Sequence, residues 1–161
     1  MAIHPATDKD RDAVWAILEP MIRAGGTYTL PRDMSKQRAL EYWFAPDKET
    51  FVWEENGALL GTYFLRMNQQ GGGSHVANCG YVTAAAAEGR GIARQMCLHS
   101  LERAKERGFR AMQFNFVVST NERAIKLWTD LDFKTVGRLP LAFEHPTLGF
   151  VDALVMYRSL E

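Results

Sequence analysis

Residues 76–93, VANCGYVTAAAAEGRGIA, constrain the fold more than any other stretch of the chain. A β-branched and aromatic run passes through a small-residue loop into the tight turn Glu88-Gly89-Arg90-Gly91. A long helical pattern starts directly after it at Ile92. Strand, glycine turn and helix in that order leave several backbone N–H groups free at the positive end of a helix, which suits a phosphate or pyrophosphate. Gly89 and Gly91 permit φ > 0 and close approach of backbone to a ligand, and Arg90 adds a cation in the turn. Two phosphate loops are excluded. A Walker loop needs Lys-Ser or Lys-Thr after its last glycine, where this chain has Ile92-Ala93, and the third glycine of a dinucleotide fingerprint would fall on Arg94.

The chain has 161 residues, enough for one well-cored domain and too few for two. We read a single domain over residues 1–161. Lys plus Arg and Asp plus Glu both number 19, so no basic field is available for sequence-independent nucleic-acid binding. There is no run long enough to span a membrane and no signal-peptide pattern. Cys79 and Cys97 make no disulfide framework, and no His/Cys cluster has metal spacing, so neither membrane, nucleic acid nor metal is expected as a partner. A cytoplasmic, reducing location is expected.

Hydrophobic periodicity sets the elements. Ile3-His4-Pro5 is a short strand, and Thr7 or Asp8 caps a helix carrying Val14, Ile17, Leu18, Met21 and Ile22, which Pro20 should kink or split and Gly25-Gly26 should end. A second helix covers 35–44. Segments 50–55 and 58–68 form a hairpin over a type I′ turn at Asn56-Gly57, and Gln69 to Ser74 is a glycine-rich loop. Then come a strand at 75–82, a helix at 92–107, a strictly alternating strand at 112–118, a helix from Asn121, and strands at 133–137 and 150–157. Alternation in the second half implies partly parallel pairing, and the hairpin is antiparallel, so a mixed sheet flanked by helices is expected. Among other polar residues, His75 and His145 stand where they could meet a pocket, His99 reads as half-buried, and Arg103 to Arg107 as a solvated helix face.

Glu88-Gly89-Arg90-Gly91-Ile92-Ala93 resembles the cofactor motif of the GNAT acetyltransferases, Q/R-x-x-G-x-G/A. Asn121 to Trp128 followed by Leu131-Asp132-Phe133 is similar to that family's N-x-x-A-x-x-L-Y and L-G-F, in family order and spacing. The resemblance implies a single-domain α/β GNAT fold: a mixed, mostly antiparallel sheet whose two central parallel strands splay apart. It implies acetyl-coenzyme A in that gap and no metal. Pantetheine would pair with main chain near Tyr81 and Val82, the pyrophosphate would rest on the N–H groups of Gly89, Arg90, Gly91, Ile92 and Ala93, and Asn121 would contact the cofactor arm. A backbone N–H near Val82 would polarise the carbonyl. Glu88 departs from the motif, so its side chain takes no part. Trp128 stands where the family has a tyrosine that protonates the leaving thiolate; an indole N–H can steady sulfur but is no general acid.

The activity implied is transfer of an acetyl group to the amine of a small carboxylate-bearing molecule by direct attack. Asn78 and Asn115 each interrupt an apolar strand, and two carboxamides can bind a carboxylate. Together with Asn121 they resemble asparagines of the yeast and fungal acetyltransferases acting on proline analogues, which implies that Asn78 and Asn115 hold the substrate carboxyl group at the reaction centre while Asn121 serves the cofactor. Tyr28, in the loop before the second helix, is a further candidate for the acceptor pocket. A phosphinothricin-type toxin acetyltransferase and a silent coenzyme A-binding module are the alternatives. A homodimer is common among such enzymes, and Phe143 to Tyr157 is the expected interface.

Overall fold

Asn56 and Gly57 both take positive φ, 52° and 79°, so the first hairpin closes through the two-residue turn its sequence demands. The computed structural model describes residues 2–161. In chain order the elements are β1 (Ala2–Pro5), α1 (Arg11–Ala24), α2 (Lys36–Trp43), β2 (Lys48–Glu55), β3 (Ala58–Met67), β4 (Val76–Thr83), α3 (Ile92–Glu106), β5 (Ala111–Val118), α4 (Glu122–Asp130), β6 (Lys134–His145) and β7 (Gly149–Ser159). They build one seven-stranded sheet in the order β1-β2-β3-β4-β5-β7-β6, with β4–β5 as its parallel pair and the other neighbours antiparallel.

Strand alternation sends side chains to two separate cores. On one face Tyr63, Leu65, Ala77, Cys79, Met112 and Phe114 pack under α3 and α4. On the other Val52, Phe64 and Val82 pack under α1 and α2. A buried hydrogen-bond chain fixes α2 to the sheet: Trp43 Nε1 donates to Thr62 Oγ1 at 2.9 Å, and Thr62 Oγ1 donates to Phe51 O at 2.8 Å. A buried donor stripped of its partner costs about 1–3 kcal/mol, so this chain fixes α2 as well as the apolar contacts do.

Four expectations are corrected. α1 is not split at Pro20 but is one helix through it, because a proline in its third turn removes one donor without preventing packing of Val14, Ile17, Leu18 and Ile22. β5 does not alternate strictly: Asn115 and Phe116 together oppose Val155 of β7, and this bulge turns Val117 to the core face of Phe114. β6 extends to His145, well past Gly137, across a second bulge in which Leu141 (φ 51°) donates its N–H to Asp152 Oδ1 at 2.8 Å. The basic end of α3 is not merely solvated, since Arg103 Nε and Arg107 Nη1 each lie 2.7 Å from a carboxylate oxygen of Glu49 on β2.

Candidate functional site

β4 and β5 pair only at Val76–Ala111 and Ala77–Met112 and then separate. Asn78 sits at the fork, where its Nδ2 donates to Gln113 O across the opening at 2.9 Å. From Asn78 to Thr83 the open edge of β4 runs about 17 Å at strand rise. The phase of the β3–β4 ladder decides which amides face the gap. Ala84 N donates to Leu60 O and Asn68 N to Val76 O, both at 2.8 Å, in one unbroken register. The even residues of β4 therefore bond β3, and Tyr81 and Thr83 present their main chain to the gap. Val82 N–H is taken by the Thr62 pair, so the gap-facing donor expected near Val82 is that of Tyr81. The fork opens into a cleft of about 780 Å³.

The glycine turn closes one end of this cleft. Gly89 and Gly91 have φ 78° and 81°, and Gly91 caps α3 in the left-handed region. Gln95 N, donating to Gly91 O, is the first amide of α3 with an acceptor; among the described residues the N–H groups from Gly89 to Arg94 have none within the chain. Gly89, Gly91, Ile92 and Ala93 line the cleft, and Arg90 does not: its guanidinium pairs with Glu55 on the β2–β3 hairpin. The cations at this end are Arg94 and Arg123, with one Arg123 nitrogen 3.9 Å from where a Gly89 Cβ would stand. Sequence reasoning passed over both. Their signal was electrostatic, since each is an arginine in the first turn of a helix, where the dipole disfavours a cation unless an anion lies nearby.

Asn121 lines the cleft at the end of β5 and caps α4, accepting from Ala124 N at 3.4 Å and leaving its amide nitrogen free. Trp128 packs against Tyr81 and Phe114, with ring centroids 5.2 and 4.9 Å away. Its N–H makes no hydrogen bond within the protein and is not sealed from solvent. The Tyr81 ring is turned into the α3 side, its hydroxyl 2.6 Å from Ser100 Oγ, and burial holds that phenol well above its ordinary range. Tyr28 reaches in from the α1–α2 connection and donates to Tyr81 O at 3.1 Å. Its approach needs Gly80, where a Cβ would lie 2.9 Å from the Tyr28 oxygen. Burial raises the Tyr28 phenol and the Cys79 thiol far above their usual values, so neither is a base or nucleophile near neutral pH.

The β4–β5 register puts Asn78 and Asn115 on one face of the sheet, and both line the cleft. Their carboxamides are nonetheless largely committed. Asn78 Oδ1 accepts from Arg66 Nε at 3.0 Å while its nitrogen holds Gln113. Asn115 accepts from Gln113 Nε2 at 2.9 Å and donates to Asn68 Oδ1 at 2.7 Å. Arg66, the cross-strand partner of Asn78, lines the cleft and was not foreseen, because its place opposite Asn78 follows only from the register. His75 lies outside the cleft lining. His145 borders a neighbouring hollow with Tyr28 and Arg32, and its Nδ1 accepts from Thr147 N and Leu148 N, both at 3.2 Å. Among the described residues no cluster of three or more acidic, His or Cys side chains is arranged to hold a metal, and no helix is long and apolar enough to cross a membrane.

The profile of the Acetyltransferase (GNAT) family matches residues 14–133. The structure of a GCN5-related N-acetyltransferase from Kribbella flavida superposes with TM-score 0.93 at 38% identity, covering 98% of this chain and 96% of that one. N-acetyltransferase aca1 of Schizosaccharomyces pombe is 29% identical over 153 residues, 83% of this chain and 72% of its own. The structure of yncA from Salmonella typhimurium with its cofactor acetyl-CoA shares the fold, with TM-score 0.87 at 20% identity over 100% of this chain and 94% of that one. A forked parallel pair ending in a turn of open amides is thus the cleft of an acetyl-coenzyme A-dependent enzyme, and this chain belongs to the GNAT acetyltransferase family.

Proposed function

We propose that this acetyltransferase moves the acetyl group of acetyl-coenzyme A to the amine of a small carboxylate-bearing molecule: an amino acid, a proline analogue or a close relative. The observation that carries the reading is the opening beyond Asn78, where Tyr81 main chain faces a gap with no partner strand and the amides of Gly89 to Arg94 have no acceptor. Those amides, with Arg94 and Arg123, would hold the diphosphate. The pantetheine amides would complete the unpaired edges of β4 and β5, as an added strand does. The free nitrogen of Asn121 would meet the cofactor arm, and Trp128 would lie beside sulfur.

The chemistry is direct. A neutral amine attacks the thioester carbonyl carbon, Tyr81 N–H stabilises the oxygen as it gains charge, the C–S bond breaks, and thiolate leaves. The surplus amine proton passes to water or to the thiolate. Neither Tyr28 nor Cys79 is poised to take it near neutral pH, and a thiolate departs without a general acid. Tyr28, Asn115 and the face of β4 around Gly80 would enclose the acceptor.

Resemblance to the fungal enzymes acting on proline analogues supports the acceptor class, and a fission-yeast N-acetyltransferase stands among the relatives. A homodimer through the outer strand pair fits the exposure of Val136, Leu141 and Phe150 on β6 and β7. Two buried free thiols suit a cytoplasmic setting. The test is thiol release from acetyl-coenzyme A across a panel of amino acids, proline analogues, phosphinothricin and polyamines. Turnover of an amine bearing a carboxylate is expected; turnover confined to polyamines overturns the acceptor class.

A further inference from the structure

We propose that Arg66, rather than the two asparagines, anchors the acceptor carboxylate and that Asn78 positions it; this rests on the reading that the cleft acetylates a small carboxylate-bearing amine. Arg66 Nε is held by Asn78 Oδ1 at 3.0 Å, and Asn78 is itself clamped to Gln113 O at 2.9 Å. The guanidinium carbon lies 5.6 Å from the Phe64 ring centroid, so one edge and one face of the group are fixed. Its two terminal nitrogens have no hydrogen-bond or ion-pair partner among the described residues, and Arg66 lines the cleft. A planar fork with its terminal pair free is matched to a carboxylate, which takes two parallel N–H bonds.

Charge balance points the same way. The charged side chains lining the cleft are Arg66, Glu88, Arg94 and Arg123, and the last three belong to the glycine-turn end. At the fork Arg66 therefore stands with no lining acid to neutralise it. Lys48, opposite Arg66 in the β2–β3 register, is balanced by Asp47 at 3.6 Å, with its nitrogen 4.2 Å from the Tyr42 ring centroid, so Asp47 is matched without drawing on Arg66. The asparagines have given most of their capacity to Gln113, Asn68 and Arg66 and supply shape instead. An acceptor whose carboxylate meets Arg66 directs its amine along β4 toward Tyr81 and the thioester.

Paired acceptors differing in one group test this: glycine against glycinamide, and L-proline against L-prolinamide, each by kcat/KM with acetyl-coenzyme A saturating. The wild-type enzyme is expected to favour the acid over its amide by about 30-fold, in line with a charge-assisted bidentate contact. Arg66→Met should reduce that preference to less than about threefold, chiefly through KM, and Arg66→Lys, which keeps charge without the fork, should fall between. If acid and amide fall together in both variants, or the preference survives in Arg66→Met, Arg66 is a structural residue and the proposal is overturned. Should the wild-type enzyme acetylate no amine carrying a carboxylate, the function proposed above fails, and calorimetry of the coenzyme A-loaded protein with N-acetylglycine and N-acetylglycinamide decides on Arg66. Tighter acid binding that Arg66→Met abolishes supports the anchor, and equal binding refutes it.

Discussion

An indole N–H donates a hydrogen bond but does not release its proton in the accessible pH range. Trp128 therefore cannot serve as the general acid that the tyrosine of the motif it resembles would supply, although it packs 5.2 Å from the Tyr81 ring at the cleft wall. The replacement fits a reaction in which thiolate leaves unprotonated. Trp128→Phe is expected to keep kcat within about tenfold, whereas loss of a true general acid costs roughly 10²–10⁴; steady-state kinetics on the best acceptor decides. At this scale the sequence exposes residue type but not commitment. Asn78 and Asn115 were recognisable as polar interruptions of apolar strands, yet apart from the Gln113 side chain beside Asn115 their hydrogen-bond partners, Arg66 and the Gln113 carbonyl for Asn78 and Asn68 for Asn115, come from distant parts of the chain. Arg90 misled for the same reason: its place in the turn is local, and its pairing with Glu55 is not.

At the scale of elements, α3 and β3 meet through His99 and Tyr63, with the phenol 2.6 Å from His99 Nδ1. Burial lowers the His99 pKa below its ordinary 6.5, with nearby Glu106, Arg103 and Glu49 contributing less. The unfolded chain then takes up a proton before the folded one does. The stability contributed by neutral His99 is full above pH 6.5 and is lost as pH falls from there through the folded pKa. Thermal unfolding between pH 8 and 5 should show a steeper decline for the wild-type protein than for His99→Asn; parallel curves would refute the assignment. Elements whose residues carry their own signal were legible: the I′ hairpin at Asn56-Gly57 and the helix after Gly91 both follow local chemistry. The bulges of β5 and β6 were not, because each is set by a partner strand. Val155 stands against both Asn115 and Phe116, and Asp152 receives the Leu141 amide. The reach of β6 to His145 was hidden too, since nearly all of its residues are exposed and a strand buried on neither face carries no alternation.

For the molecule as a whole, the decisive feature is that one parallel pair interrupts an otherwise antiparallel sheet and fails to stay closed. Its existence was legible from strand and helix alternation around the glycine turn, and the family resemblance gave its splay. The phase of the β3–β4 ladder, which hands Tyr81 rather than Val82 to the gap, depends on register and so lay beyond a single-residue reading. The cleft, its amide-lined end and its arginines are consequences of that one topological choice. Backbone amide resonances from Gly89 to Arg94, followed by NMR as the protein is titrated with coenzyme A and separately with pantetheine, test the account most directly. Downfield shifts of those amides and of Thr83, the other gap-facing residue of β4, with coenzyme A, and of Thr83 without them with pantetheine, are expected, because only coenzyme A carries the diphosphate. Saturable coenzyme A binding that leaves the 89–94 amides unmoved would contradict the account.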